Sequence, residues 1–485
     1  MPVTRLNNLV FRPPLAAFAA VAVSAAAAIP AAAQANPTSV TNPFYGSVTV
    51  QPVNGQLLKL SLDDAIQRGL ANNLGLREAE EGQKTLQGEK NEALQEFLPT
   101  ITLTGDTGVY QHNLAALGFS PAVAGKFAAF LPPGARFTPI TRDDLTEGQF
   151  HYEQTLFSGP VIAAYKAAGA ATRVAYYNKE SAIGQVVQNV ATAYLGAIAA
   201  ASDVDNAVAL EQQAQVLLSH EQDAHQAGTV PHLDVLRAQV QFEAQQQSVL
   251  AAQNTLDKDL ILLKREIGVD PGQKIELTDP APYSELALQT PAEVLAIAYQ
   301  NRQNYQNLIN QVAEDKAIRA AYRSQRLPTL KFSGYWGTST VNGAGTHGNF
   351  AAIGTLSVPI FKEAGLRGDE DAALATLNAD QARLADLRVQ IDQQVRDALL
   401  DVAATQKLVD VARSNVALAA RALSDETDRV NAGVDDNLPL VTAQATLASA
   451  QTNLVQSLYQ YNVAKLGLAR AAGIIQTQYR AYLGR

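Results

Sequence analysis

The sequence predicts a mainly α fold made of two tandem structural repeats, each running helix, strand, strand, long helix, return helix, with the strands as its share of a membrane β-barrel. Three observations predict it. A block occurs twice: residues 62–105 align without a gap on residues 291–334, with Asn72 on Asn301, Leu98-Pro99-Thr100 on Leu327-Pro328-Thr329 and Gly105 on Gly334. A second register, offset by 205, sets Ala227-Gly228 on Ala432-Gly433 and Gly268 on Gly473. Four short segments alternate apolar and polar residues, and two stretches run far beyond the length of a globular helix without a proline. An internal repeat of this kind decides the fold before any other signal.

Residues 1–35 read as a secretory signal: Arg5 and Arg12, an apolar run from Leu15 to Pro30, then AAAQAN with cleavage after Ala35 or Ala33. The competing reading is a membrane anchor, against which stand the short, Ala-rich run and the small residues after it. Cysteine is absent, which excludes disulfides and thiolate metal or redox chemistry. No later run reaches the ~18 apolar residues of a membrane helix, so a bilayer would have to be met with strands. The net charge of −9, without any basic run, argues against nucleic acid as a partner.

Residues 36–60 form an extended leader, and repeat 1 covers 61–270. Ser61 caps a helix from Leu62 to about Phe97, with Asp63 and Asp64 in its dipole-favoured first turn and Pro99 as its stop. Strands are expected at about 98–111 and 146–158, where Ile101, Leu103, Phe150 and Tyr152 alternate with Thr100, Thr102, His151 and Glu153. Residues 271–289 link to repeat 2, 290–475, with strands at about 327–340 and 348–361. Aromatics such as Tyr110, Phe150, Trp336 and Phe361 are expected at strand ends, as an interfacial girdle requires. Long helical hairpins follow at about 160–268 and 365–473. At ~1.5 Å per residue each long arm spans roughly 100 Å. Two seven-residue series, Val395-Val402-Val409-Val416-Leu423 and Leu377-Leu384-Ile391-Ala398, predict packing against neighbours on two sides. Residues 476–485 are read as a C-terminal tail.

Four strands cannot close a membrane barrel, and open sheet edges are not tolerated in hydrocarbon. Several chains would therefore share one barrel, with their helices ringing the same axis. A periplasmic coiled-coil scaffold without a pore is the competing reading; it has no use for four two-faced strands placed symmetrically in two copies.

The paired blocks ending in LPT, the junctions QTLFSGP and SVPIF, and the tips AGTVPHLDVLRAQ and AGVDDNLPLVTAQ together resemble the TolC-like outer-membrane efflux proteins over roughly residues 58–475. The resemblance implies a homotrimer: a twelve-stranded β-barrel in outer-membrane lipid continued by an α-helical barrel across the periplasm. It implies as partners a periplasmic adaptor and an inner-membrane pump, and as function a passive exit duct. Adaptor contacts would lie at the hairpin tips, at Gly228, Thr229 and Asp234 in copy one and Arg429 and Gly433 in copy two. His225 stands in copy one where Arg429 stands in copy two, and Pro231 and Asp436 occupy the family's hydroxyl positions. The family's acidic pore rings fall on Pro439 and Thr442; Asp435 and Asp436 are the nearest carboxylates, read either as a shifted ring or as solvated turn residues.

The insert at 112–145 is expected to face outside the cell, as a fold over the barrel mouth or as a plain surface loop. No enzyme or cofactor is expected: G-x-S-x-G, Gly-rich phosphate loops and H-E-x-x-H are all missing. His220, His225 and His232 cluster near one tip, but spacings of five and seven do not share a helix face, so no metal site is expected.

Overall fold

Each bound of the first helical pair recurs 229 residues further on. In the computed structural model, which describes residues 42–53, 55–118, 126, 140–279, 283–341, 345–432 and 437–484, α1 (Leu62–Asn72) and α2 (Leu74–Gln95) repeat as α5 (Pro291–Asn301) and α6 (Gln303–Ser324). Strands β2 (Thr100–Asn113) and β3 (Ile140–Phe157) correspond to β5 (Thr329–Val341) and β6 (Thr346–Ser357). The long arms are α3 (Gly159–Gln226, 68 residues) and α7 (Glu363–Asn431, 69 residues). The return arms are α4 (His232–Ile267) and α8 (Asn437–Ala471). The expected signal, residues 1–35, lies outside the described residues, as does most of the insert.

The helix expected to run unbroken from Leu62 to Phe97 is two helices. Asn73 leaves helical geometry at φ −66°, ψ 130°, and its equivalent Arg302 does the same at φ −65°, ψ 118°. A break frees backbone groups that must be satisfied. In copy one Asn73 accepts from the Leu76 amide at 3.1 Å, while the leader takes the rest: Val48 donates to the Asn72 carbonyl and Leu74 donates to Gly46. Copy two has no leader, and the Gln306 side chain donates instead to the Tyr299 and Gln300 carbonyls. Each break packs on the end of a return arm. Gly268 (φ +72°) closes α4 against Asn72, and Gly473 (φ +75°) follows α8 against Arg302.

This belt holds the main core. Leu60, Leu62, Ile66, Val186, Val190, Tyr194, Leu263 and Ile267 form one cluster. Val294, Ala298, Ile391, Val395, Val402, Val409 and Tyr461 form its counterpart. A two-stranded parallel ribbon, β1 (Leu58–Leu60) with β4 (Ile275–Leu277), ties leader to linker. The expected C-terminal tail is instead helix α9 (Ile475–Leu483), whose Ile475, Tyr479 and Leu483 are buried in the core of copy one. Tyr479 donates to Asp63 at 2.8 Å and Arg480 pairs with the same carboxylate at 3.0 Å.

On the sheet side of the belt, packing runs α2–α3–α6–α7; on the tip side it runs α4–α3–α8–α7. The two seven-residue series of α7 do not face two neighbours. Positions 391, 395, 402 and 409 differ by fours and sevens, so they form one stripe, buried within the chain. The second apolar face is a different set, Val389, Leu400, Val411 and Leu418, on the opposite side of the helix and exposed. The α6–α7 seam near the sheet carries Arg326 between Glu363 (3.2 Å) and Glu370 (2.9 Å). Further along the same seam Asp315 and Asp380 are buried together. Burial, then the Asp380 charge, holds the Asp315 carboxyl well above the usual carboxylate range. Burial, with Asp315, Asp380 and Glu89 nearby, pushes Glu314 up to about 7.

Candidate functional site

Two regions carry the features expected of a duct: the sheet and the hairpin tips. The four long strands form one antiparallel sheet in the order β2-β3-β5-β6. Strand β3 begins at Ile140, so the insert starts and ends in paired strand, with Asn113 opposite Ile140. Because side chains alternate along each strand, register decides which residues share a face. Leu103 stands opposite Phe150, Phe150 opposite Trp336, and Trp336 opposite Phe350. The four make a continuous apolar row, with exposures of 68%, 49%, 67% and 77%. Ile101, Tyr152, Leu330 and Leu356 lie on the same face.

The opposite face presents Thr102, Thr104, Gln149, His151, Glu153, Lys331 and Ser333. There His151 Nε2 lies 3.0 Å from Thr104 Oγ1. The expected aromatic girdle at the strand ends is not what this register makes: Phe150, Trp336 and Phe350 line up across the sheet, and Phe361 lies beyond β6. Strand β3 begins at Ile140 rather than near 146, so Phe150 lies inside the strand and not at its end.

A sheet with water on both faces does not expose a row of this kind, whereas one with lipid on one side and water on the other does. Among the described residues, both outer strands, β2 and β6, keep an unpaired edge. No described helix is long and apolar enough to cross a membrane.

The copy-one tip is built by backbone geometry. Ala227 donates to Asp223, Gly228 to His225, and Thr229 to Ala224 through both its amide (2.9 Å) and its hydroxyl (2.8 Å). Gly228 needs its φ of +76°, because the chain must leave α3 through the left-handed region. A Cβ there would meet nothing, so the tip surface is open. Asp234 is buried in the first turn of α4 and accepts from Arg237 at 3.0 Å. His225 and His232 bring their rings to 5.3 Å across the turn, which the sequence spacing did not anticipate. No metal cluster occurs among the described residues.

At the copy-two tip Arg429 lies 3.8 Å from Glu426. Gly433, Asp435 and Asp436 lie outside the described residues. Pro439 is half-buried and Thr442 exposed at the start of α8. Between them Leu440 packs with Leu217 and Ala238 of copy one, so the two tips form one unit. Sequence reasoning missed this contact, because the hairpins come from different repeats and no short motif links them. It also missed Glu221, buried one turn before the tip beside His220.

The outer membrane efflux protein model matches residues 65–269 and 294–474. The chain is 23% identical over 420 residues to the pyoverdine export outer membrane protein OpmQ of Pseudomonas aeruginosa, covering 85% of each. It is 25% identical over 248 residues to nodulation protein T of Rhizobium leguminosarum bv. trifolii, a match spanning about half the length of that relative (48% of this chain, 51% of the other). Its fold is that of the solved outer membrane protein VceC from Vibrio cholerae, at TM-score 0.69 and 18% identity over 85% of this chain and 96% of that one. Fold, sheet and matched residues lead to one conclusion: the chain belongs to the outer membrane efflux protein family, the outer-membrane exit ducts of export systems, with its helices extending into the periplasm.

Proposed function

We propose that three copies of this chain close into a single tube, a twelve-stranded barrel in the outer membrane continued by a helical cylinder, and that cargo passes along its axis without a chemical step. One observation carries the reading. Among the described residues, the same two sides of the chain stand at the edge at every level: β2, α2 and α4 on one side, β6 and α7 on the other. Unlike edges at opposite sides join head to tail, and such contacts close a ring when the rotation permits. Exposed apolar residues sit on both edge helices of the tip half: Leu233, Leu236, Val240 and Leu250 on α4, and Leu400, Val411 and Leu418 on α7. Three four-stranded sheets also bring the strand number within the range of membrane barrels, where every edge must be paired.

The hairpin tips are the proposed docking surface for a periplasmic adaptor, with Gly228, Thr229 and Asp234 on one tip and Arg429 and Gly433 on the other. Cargo would be handed over by an inner-membrane pump. Asp435 and Asp436, with Pro439 and Thr442 beside them, are the proposed lining of the periplasmic mouth, where three sets of carboxylates on one axis would favour cations. OpmQ is named for pyoverdine export; the cargo of this chain is not assigned by that likeness.

The native mass of the particle taken from outer membranes in mild detergent tests the assembly. Three chains per particle are expected. A stable monomer or dimer would overturn the tube and favour a pore-free periplasmic scaffold.

A further inference from the structure

We propose that the cavity between α2, α3 and α6 is an anion site that takes a phosphate group, carried by a lipid headgroup or free in the periplasm. The cavity has a volume of about 450 Å³. Lys90 of α2 and Lys166 and Arg173 of α3 line it, with Tyr165 beside them and small residues such as Gly169 and Ala313 as its floor. A Cβ on Gly169 would meet nothing within 4 Å, so the space above the floor is open. No carboxylate lines it. Among the described residues none of the three cations forms an ion pair: Lys90 lies 5.9 Å from the Tyr165 ring centre, and Arg173 donates through Nε to Asn310 at 2.8 Å.

Of the acids nearest in sequence, Glu314 feels the charges of Asp315, Asp380 and Glu89. Three cations line one cavity whose lining holds no carboxylate, and a bound phosphate anion would supply the counter-charge. The Arg173 fork can meet two phosphate oxygens while the lysines supply point charges.

The height of the site narrows its ligand. Lys166 lies seven residues and Arg173 fourteen residues past Gly159, the start of α3, or about 10 and 21 Å below the sheet. If the sheet spans the outer membrane, that depth begins at the phospholipid headgroups. The anion chemistry itself does not depend on that placement.

The test uses the full chain in neutral detergent. Native mass spectrometry measures retention of phosphatidylglycerol against phosphatidylcholine, and calorimetry measures inorganic phosphate. Selective retention of phosphatidylglycerol supports a headgroup site; binding of inorganic phosphate supports a free-anion site. In either case the double variant Lys166→Gln/Arg173→Gln is expected to bind about tenfold more weakly. Lys166→Glu should abolish binding with an unchanged melting temperature, and Lys179→Gln, further along α3, should leave binding unaltered. Equal retention of both lipids with no phosphate binding would overturn the site, as would binding insensitive to the double variant. The same spectra report the number of chains per particle, so failure of this site and failure of assembly are read separately.

Discussion

A Cβ placed on Gly473 would lie 2.6 Å from the backbone nitrogen of Arg302, at the break between α5 and α6. Gly268 holds the same place in copy one, where a Cβ would lie 2.9 Å from Asn72 Cβ and 2.5 Å from the Thr49 carbonyl. Both glycines combine a left-handed φ with backbone contact, so neither the conformation nor the space admits a side chain. Gly473→Ala is expected to cost about 2 kcal/mol or more, from left-handed strain of roughly 1–2 kcal/mol with overpacking added. Thermal melting checks this, with Gly228→Ala as the comparison: its φ is similar but its surroundings are empty, so only the conformational part should appear.

The apolar row of the sheet makes a second prediction. Trp336→Arg or Phe350→Arg would place a charge on the face read as lipid-facing, at a cost of about 2–4 kcal/mol near the bilayer midplane. The fraction of protein recovered in the outer membrane should fall sharply. Ser333→Arg, on the opposite face of β5, should leave that fraction close to wild type. Equal recovery of all three would remove the assignment of the two faces.

The exposed stripe of α7 can be tested apart from folding. Leu400→Glu and Val411→Glu alter residues that touch no core of their own chain. Both are expected to leave helix content unchanged while shifting the native mass from the proposed three chains toward one. Val402→Glu, in the buried stripe, should instead unfold the protomer.

The acidic seam predicts a pH dependence. Desolvation and the neighbouring charge raise Asp315 in the folded state, and Glu314 rises to about 7. The groups that face one another are Glu89 on α2, Glu314 and Asp315 on α6, and Asp380 and Arg383 on α7. A folded carboxyl raised above its unfolded value binds its proton more tightly than the unfolded chain does. Its contribution to stability is complete below about pH 4 and is lost as pH rises toward about 7. Asp315→Asn should therefore raise the melting temperature at pH 8 by a few degrees, do little at pH 4, and flatten the profile between them.

Much of this architecture was legible because it is periodic and occurs twice. The 229-residue offset placed the first helical stretch of each copy, as one helix rather than two, and the alternation Ile101, Leu103, Phe150, Tyr152 placed a face. What escaped notice lies between distant segments. The break at Asn73 is completed by leader amides and carbonyls near Gly46 and Val48, which no local pattern around Asn73 announces. The two seven-residue series of α7 differ by offsets of three and four, so they form one stripe, and the second apolar face, through Leu400, belongs to neither series. At the tips, Thr229 and Asp234 are set by short-range turn chemistry, whereas Leu440 against Leu217 joins the two repeats.

The seating of α9 bears on the order in which the chain can finish. A chain made from its N-terminal side delivers the whole of copy one before residues 475–483. Yet Ile475, Tyr479 and Leu483 complete the hydrophobic cluster of copy one, and Tyr479 reaches Asp63 across 416 positions. The early half must therefore wait, with apolar surface uncovered, until residues 475–483 arrive. The two copies are equivalent as architecture and unequal in time: the first to emerge is the last to close.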